Sequence, residues 1–183
     1  MTEPVRILGF AGSLRKASLN RALLRAAQER APEGMTIEAF DLIDIPLFNA
    51  DVEAQGDPPA VAAFKEAIRD ADGILMVTPE YNHGVPAVTK NAVDWASRKP
   101  QVLKGKPVGI IGASMTQTGT ARGQSQLRQS FEFVDCIAMT QPEILVYRAQ
   151  DKFDDAGNLT DAKTAEYLGK YLEALKAWVL RMR

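Results

Sequence analysis

Within nine residues the chain gathers three small polar side chains and a guanidinium: Gly12-Ser13-Leu14-Arg15-Lys16-Ala17-Ser18-Leu19-Asn20. Ser13, Ser18 and Asn20 can each donate to a phosphate oxygen, and Arg15 adds a permanent charge in a planar fork. Gly12 lets the backbone approach a ligand closely. A helix starting behind Ser18 would contribute free amides and a partial positive charge. Together they suit a terminal phosphate dianion. The plainer reading, a helix cap at Ser18 or Asn20, leaves Arg15 and the density of donors unexplained. The segment lacks the Gly-x-Gly-x-x-Gly spacing of dinucleotide loops and the Gly-Lys-Ser/Thr of nucleotide hydrolases. It also lacks the cysteine that a low-molecular-weight phosphatase loop requires.

A second unusual segment is Thr78-Pro79-Glu80-Tyr81-Asn82-His83-Gly84-Val85-Pro86. Two prolines and a glycine make a stiff, shaped turn. Tyr81 offers a flat amphipathic face and Asn82 both donors and acceptors, the needs of a planar heteroaromatic ligand. A tight turn with Tyr81 packed on a sheet edge accounts for the same residues. His83 is the only histidine. Nothing like Gly-x-Ser-x-Gly accompanies it, so stacking, substrate contact or a hydrogen bond suits it better than general-base work. Asn91 and Asp94-Trp95 follow at helical spacing, Trp95 as packing.

The pattern around these segments alternates short apolar runs with helical stripes. Strands are expected at Val5–Phe10, Met35–Asp41, Gly73–Thr78, Pro107–Ala113 and Ile137–Val146, the last interrupted by Pro142. Gly73–Thr78 and Pro107–Ala113 are continuously apolar, as in strands buried on both faces. Stripes at Leu19–Ala27, Val61–Ala71, Val88–Trp95 and Leu127–Val134, and a long one from about Thr160, give five helices. The seam of the last helix is the face that covers the sheet. Ile43–Pro59 is a long irregular connection of the kind that often covers a site. Five strands alternating with five helices specify an α/β flavodoxin-like sandwich, a parallel sheet of order 2-1-3-4-5 with helices on both faces. Ligands of such sheets bind beyond the carboxyl ends of strands one and three. The two unusual segments, and a third at Ala113–Arg122, all fall there.

At 183 residues the chain is expected to form a single domain over 1–183. It is 46% hydrophobic and 25% charged, with a formal net charge of −1, which gives no field to collect nucleic acid or an anionic membrane. The lone Cys136 allows no intrachain disulfide and no cysteine-based metal cluster, and its apolar neighbours suggest a buried thiol. The N-terminal Met-Thr-Glu-Pro-Val-Arg has no signal-peptide pattern, and no apolar run approaches the ~20 residues of a membrane span. Cytoplasmic residence is the expectation.

Gly12-Ser13-Leu14-Arg15-x-x-Ser18-x-Asn20, followed by Pro79-Glu80-Tyr81-Asn82-x-x-x-Pro86-x-x-x-Lys90-Asn91-x-x-Asp94-Trp95, resembles the NADPH-dependent FMN reductases, the flavodoxin-like group that includes bacterial quinone, azo-dye and chromate reductases. The likeness runs through nearly the whole chain, including Gly119-x-Ala-Arg122 and Leu127-Arg-Gln129. It implies FMN as cofactor, with Ser13, Arg15, Ser18 and Asn20 on the phosphate and Leu14 in support. It implies Pro79, Glu80, Tyr81, Asn82 and His83 along the isoalloxazine, and Ser114, Met115, Thr116 and Gln117 closing from the other side. The chemistry is then the flavin's: NADPH or NADH passes a hydride to N5, a quinone, azo or nitro compound or metal oxyanion takes it on, and no side chain acts as acid or base. The resemblance further implies a homodimer or homotetramer with the site near the interface. Met115-Thr116-Gln117-Thr118 stands where relatives often carry Gly-Gly, Ser125 where several have an aromatic, and His83 where some have tyrosine. An FMN electron carrier without NAD(P)H turnover is the alternative; the near-neutral charge opposes it, since such carriers tend to be strongly acidic. A receiver-like signalling domain would need an acidic cluster after strand one, where Ser13 stands.

Overall fold

A computed structural model describes residues 4–183; the reading of Met1–Glu3 lies outside the described residues. The sheet is built from β1 (Val5–Ala11), β2 (Met35–Phe40), β3 (Gly73–Val77), β4 (Pro107–Ala113), β5 (Ile137–Ala138) and β6 (Ile144–Val146). All pairings are parallel, in the order β2-β1-β3-β4-β5, with β6 also beside β4. The helices are α1 (Leu19–Glu29), α2 (Ala50–Glu53), α3 (Pro59–Asp70), α4 (Ala87–Ala96), α5 (Ala121–Val134) and α6 (Ala162–Met182). The expected flavodoxin-like order is what the strands adopt.

The two-residue alternation of each strand divides the core into two layers. Leu75 and Val77 of β3 face one way, onto Leu23 and Ala27 of α1 and Leu168, Leu172 and Leu175 of α6. Ile74 and Met76 face the other way, onto Phe64 and Ile68 of α3, Ala92 and Val93 of α4, and Leu127 and Phe131 of α5. Every residue of β3 and β4 is buried, as their unbroken apolar runs require, whereas the edge strand β2 alternates. The seam of α6 does cover the sheet.

One expectation is sharpened by the structure and one is altered. The last strand is two short pieces, because Thr140–Glu143 leaves the sheet as an exposed excursion around Pro142, which has no amide to donate. The Ile43–Pro59 connection contains α2, capped by the Asn49 side chain, and is fastened to α4. Asn91 Nδ2 and Trp95 Nε1 both donate to the Pro46 carbonyl at 2.8 Å, and Asn91 Oδ1 accepts from the Phe48 amide at 2.8 Å. Phe48 also meets the buried Trp95 ring edge-on. Asn91 thus ties α4 to this connection, while Asp94 pairs with Lys90. Cys136 packs with its Sγ 3.3 Å from the Leu103 carbonyl, and burial pushes its thiol up to about 12. Among the described residues, no helix is long and apolar enough to cross a membrane.

Candidate functional site

Three loops meet at the carboxyl ends of β1, β3 and β4. The first leaves β1 tightly against β3: the Gly12 amide donates to Val77 O at 2.9 Å. A Cβ at Gly12 would lie 1.8 Å from Thr89 Oγ1 and 3.3 Å from Pro79 Cδ, so only glycine fits. Thr89 cannot swing aside freely, since its buried hydroxyl is bonded to that of Thr78 at 3.1 Å. Beyond Gly12, the five amides from Ser13 to Ala17 meet no protein acceptor among the described residues. The Ser18 hydroxyl caps α1 by accepting from the amides of Asn20 and Arg21. Arg15 is exposed and, among the described residues, its guanidinium makes no hydrogen bond or ion pair. Consecutive free amides at a helix N-terminus, with an unpaired cation beside them, form an anion cradle.

The second loop is a tight turn in which Tyr81 and Gly84 exchange backbone hydrogen bonds of 3.2 and 2.9 Å. Asn82 and His83 sit between them at φ 50° and 63°, the left-handed pair that a two-residue hairpin turn demands. The turn holds Tyr81 half exposed, with its hydroxyl 3.5 Å from Ser13 Oγ, so the first two loops lean together. The amides of Glu80, Asn82 and His83 have no protein acceptor among the described residues. His83 is exposed and makes no side-chain hydrogen bond there.

In the third loop the Ser114 hydroxyl accepts from the Thr116 amide at 3.1 Å and lies 3.0 Å from the Thr116 hydroxyl, which is 3.4 Å from that of Thr118. Thr116 O accepts from the Arg148 amide, and Ser114 O from that of Ala149. This ladder fixes the Ser114–Thr118 segment and leaves Met115 62% exposed. The amides of Met115, Gln117, Thr118 and Gly119 are free of protein acceptors among the described residues.

Two of the expected side chains also bind within the protein itself. Asn20 is buried, and its carboxamide forms a pair of 2.9 Å hydrogen bonds with Ala113 N and O. It joins the start of α1 to the end of β4 and tethers the first loop to the third; its second Nδ2 hydrogen is not used by this pair. The Glu80 carboxylate accepts from Gly123 N at 2.9 Å and stands 3.5 Å from Arg122. It supplies the cap that Thr120 does not give α5. Sequence reading named free amides only at the start of α1; those of the second and third loops belong to no residue type and carry no signal in the sequence.

The residues present fit FMN. The cradle at Ser13–Ala17 with Arg15 suits its phosphate, and the exposed Tyr81 face with the nearby amides suits a flat ring bearing polar edges. Sheet order, anion cradle and aromatic turn at one switch point are those of a flavodoxin-like flavoprotein. Comparison with known proteins narrows this class. The sequence pattern of the NADPH-dependent FMN reductases matches residues 5–151, and the chain belongs to that family. It is 48% identical over 184 residues to an NAD(P)H-dependent FMN reductase of Pseudomonas aeruginosa, and 42% identical over 187 residues to a quinone reductase of Escherichia coli, each alignment covering 100% of both chains. FerB, a flavoenzyme NAD(P)H:(acceptor) oxidoreductase of Paracoccus denitrificans, superposes with a TM-score of 0.88 at 33% identity, over 97% of this chain and 98% of that one. The chain is an NAD(P)H-dependent FMN oxidoreductase.

Proposed function

We propose that the three loops hold FMN and admit donor and acceptor in turn to one exposed face of it, and that the acceptor is a quinone. The observation that carries this is the run of five acceptor-free amides at Ser13–Ala17, set beside the exposed Tyr81 turn. Those amides, Arg15 and the Ser18-capped start of α1 bind and orient the phosphate end. The Pro79–His83 segment lies along the ring through its backbone and the Tyr81 face. The stiff Ser114–Gln117 ladder closes the other side and limits water. When bound, FMN supplies hydride acceptance from a nicotinamide and hydride delivery to a second substrate. The chain supplies position and polarity, with no side chain in proton transfer. The quinone assignment follows from the E. coli relative's named substrate class and from Tyr81 and Met115, apolar surfaces on the rim. Residues 4–183 act as one flavin-binding unit, and we place the protein in the cytoplasm as a homodimer or homotetramer.

Anaerobic stopped-flow tests the reading. The FMN-loaded protein should bleach at 450 nm within seconds of mixing with NADPH or NADH and recolour on adding benzoquinone. A protein that takes up FMN but is reduced only over many minutes is an electron carrier instead. Light scattering of the same sample reads the assembly state.

A further inference from the structure

A groove of about 690 Å³ adjoins the first loop and α1. Its lining includes Leu14 and Lys16–Ser18 of the first loop, Arg21 of α1, Asp41 and the Asp154–Gly157 turn. Several of its charges are already engaged. Arg25 donates to the carbonyls of Ala156 and Gly157, and Asp154 accepts from the Asn158 amide and Nδ2. Besides the exposed Asp155, Lys16 and the solvent-open Arg21–Asp41 pair face a ligand. Lys16 is exposed and, among the described residues, makes no ion pair; the Arg21–Asp41 pair is closed at 2.6 Å but about 40% exposed on both sides.

Asp41 follows the last residue of β2. In α/β dinucleotide sites an acidic side chain at that place accepts from the ribose 2′-hydroxyl of the adenosine, and an arginine beside it takes a 2′-phosphate. Here the acid and the arginine are one ion pair, next to a loop that binds the phosphate of the cofactor on which the donor must act. We propose that this groove receives the adenosine ribose of the nicotinamide donor, with Asp41 accepting from the 2′- and 3′-hydroxyls of NADH, and Arg21 with Lys16 binding the 2′-phosphate of NADPH. The proposal rests on the flavin and donor reading of the three loops. It makes Asp41 and Arg21 opposed readers: the carboxylate favours the diol and repels the phosphate, and the guanidinium does the reverse.

The test is the ratio KM(NADPH)/KM(NADH) of the FMN-loaded enzyme in Arg21→Gln and Asp41→Asn, with calorimetric titration of 2′,5′-ADP and 5′-AMP alongside. Asp41→Asn keeps the Oδ1 that accepts from the Ile43 amide at 3.1 Å, so the turn survives. Losing one charge-assisted contact should raise the ratio about tenfold or more in Arg21→Gln and weaken 2′,5′-ADP by a similar factor, with 5′-AMP little changed. Asp41→Asn should lower the ratio about fivefold or more. A ratio within about twofold of wild type in either variant, or moving the same way in both, overturns the assignment. If the wild type oxidises neither donor, the flavoenzyme reading fails. The calorimetry then decides the groove alone: equal affinity for the two adenylates, or no effect of Arg21→Gln, refutes it.

Discussion

Replacing Asn20 by alanine separates the tether from the phosphate donor that its sequence position suggests. Both hydrogen bonds of its side chain go to the backbone of Ala113, each at 2.9 Å, and both residues are about 3% exposed. Truncation leaves one buried N–H and one buried C=O without a partner, at about 1–3 kcal/mol each. Water entering the vacated volume recovers part of that, so a net loss of about 2–3 kcal/mol is expected. For a chain of 183 residues this lowers Tm by about 5–10 °C. The loss should appear in the FMN-free protein, because the bond pair exists without cofactor. FMN affinity should also fall, since the first and third loops lose their common anchor. Differential scanning calorimetry of the FMN-free variant, with quenching of FMN fluorescence for Kd, reads both quantities. A variant that melts like wild type but binds FMN weakly would show that Asn20 acts on the phosphate and refute the tether.

Arg15→Ala should weaken FMN binding by about 1.5–3 kcal/mol, read by the same titration, while the stability of the FMN-free protein moves by less than about 0.5 kcal/mol; unchanged affinity would remove Arg15 from the phosphate site. Cys136, its thiol pushed up to about 12 by burial, should stay unlabelled by an aromatic disulfide reagent at pH 8 in the folded protein and react fully in denaturant; a stoichiometric burst from folded protein contradicts this. At Asp72 burial works to raise the pKa, but the Arg6 amide at 2.7 Å and the Arg183 guanidinium outweigh it and hold the carboxyl below the usual range. A lowered carboxyl stabilises the fold above the ordinary carboxylate pKa and loses that contribution as pH falls through the folded value. Asp72→Asn should therefore cost more at pH 7 than at pH 3 in urea unfolding, and an equal cost at both refutes the ion pair's role.

The fold was legible wherever burial imposes a period. Gly73–Val77 and Pro107–Ala113 are apolar without interruption because helices cover both of their faces, and α6 shows its seam because one face alone is covered. The break around Pro142 was visible as a proline, but its width depends on how far the chain must travel to bring Ile144 beside Ile111. At the site, residue types located all three loops. They did not reveal which side chains the tertiary structure had already engaged. Asn20 and Glu80 look like ligand contacts in the sequence, yet each also has a partner within the protein, 93 and 43 residues away. Asn91 likewise serves Pro46, 45 residues earlier. Such pairings have no local signature.

The cradle at Ser13–Ala17 is main chain, and that changes what mutation can do to it. A codon change at Lys16 or Ala17 replaces a side chain and leaves the amide in place. Proline alone deletes a donor, because its ring nitrogen carries no hydrogen. An alanine scan of this loop therefore registers Arg15 and the Ser18 cap and passes silently over the remaining donors. Met115 and His83, by contrast, present exposed side chains, so substitution there changes the surface itself.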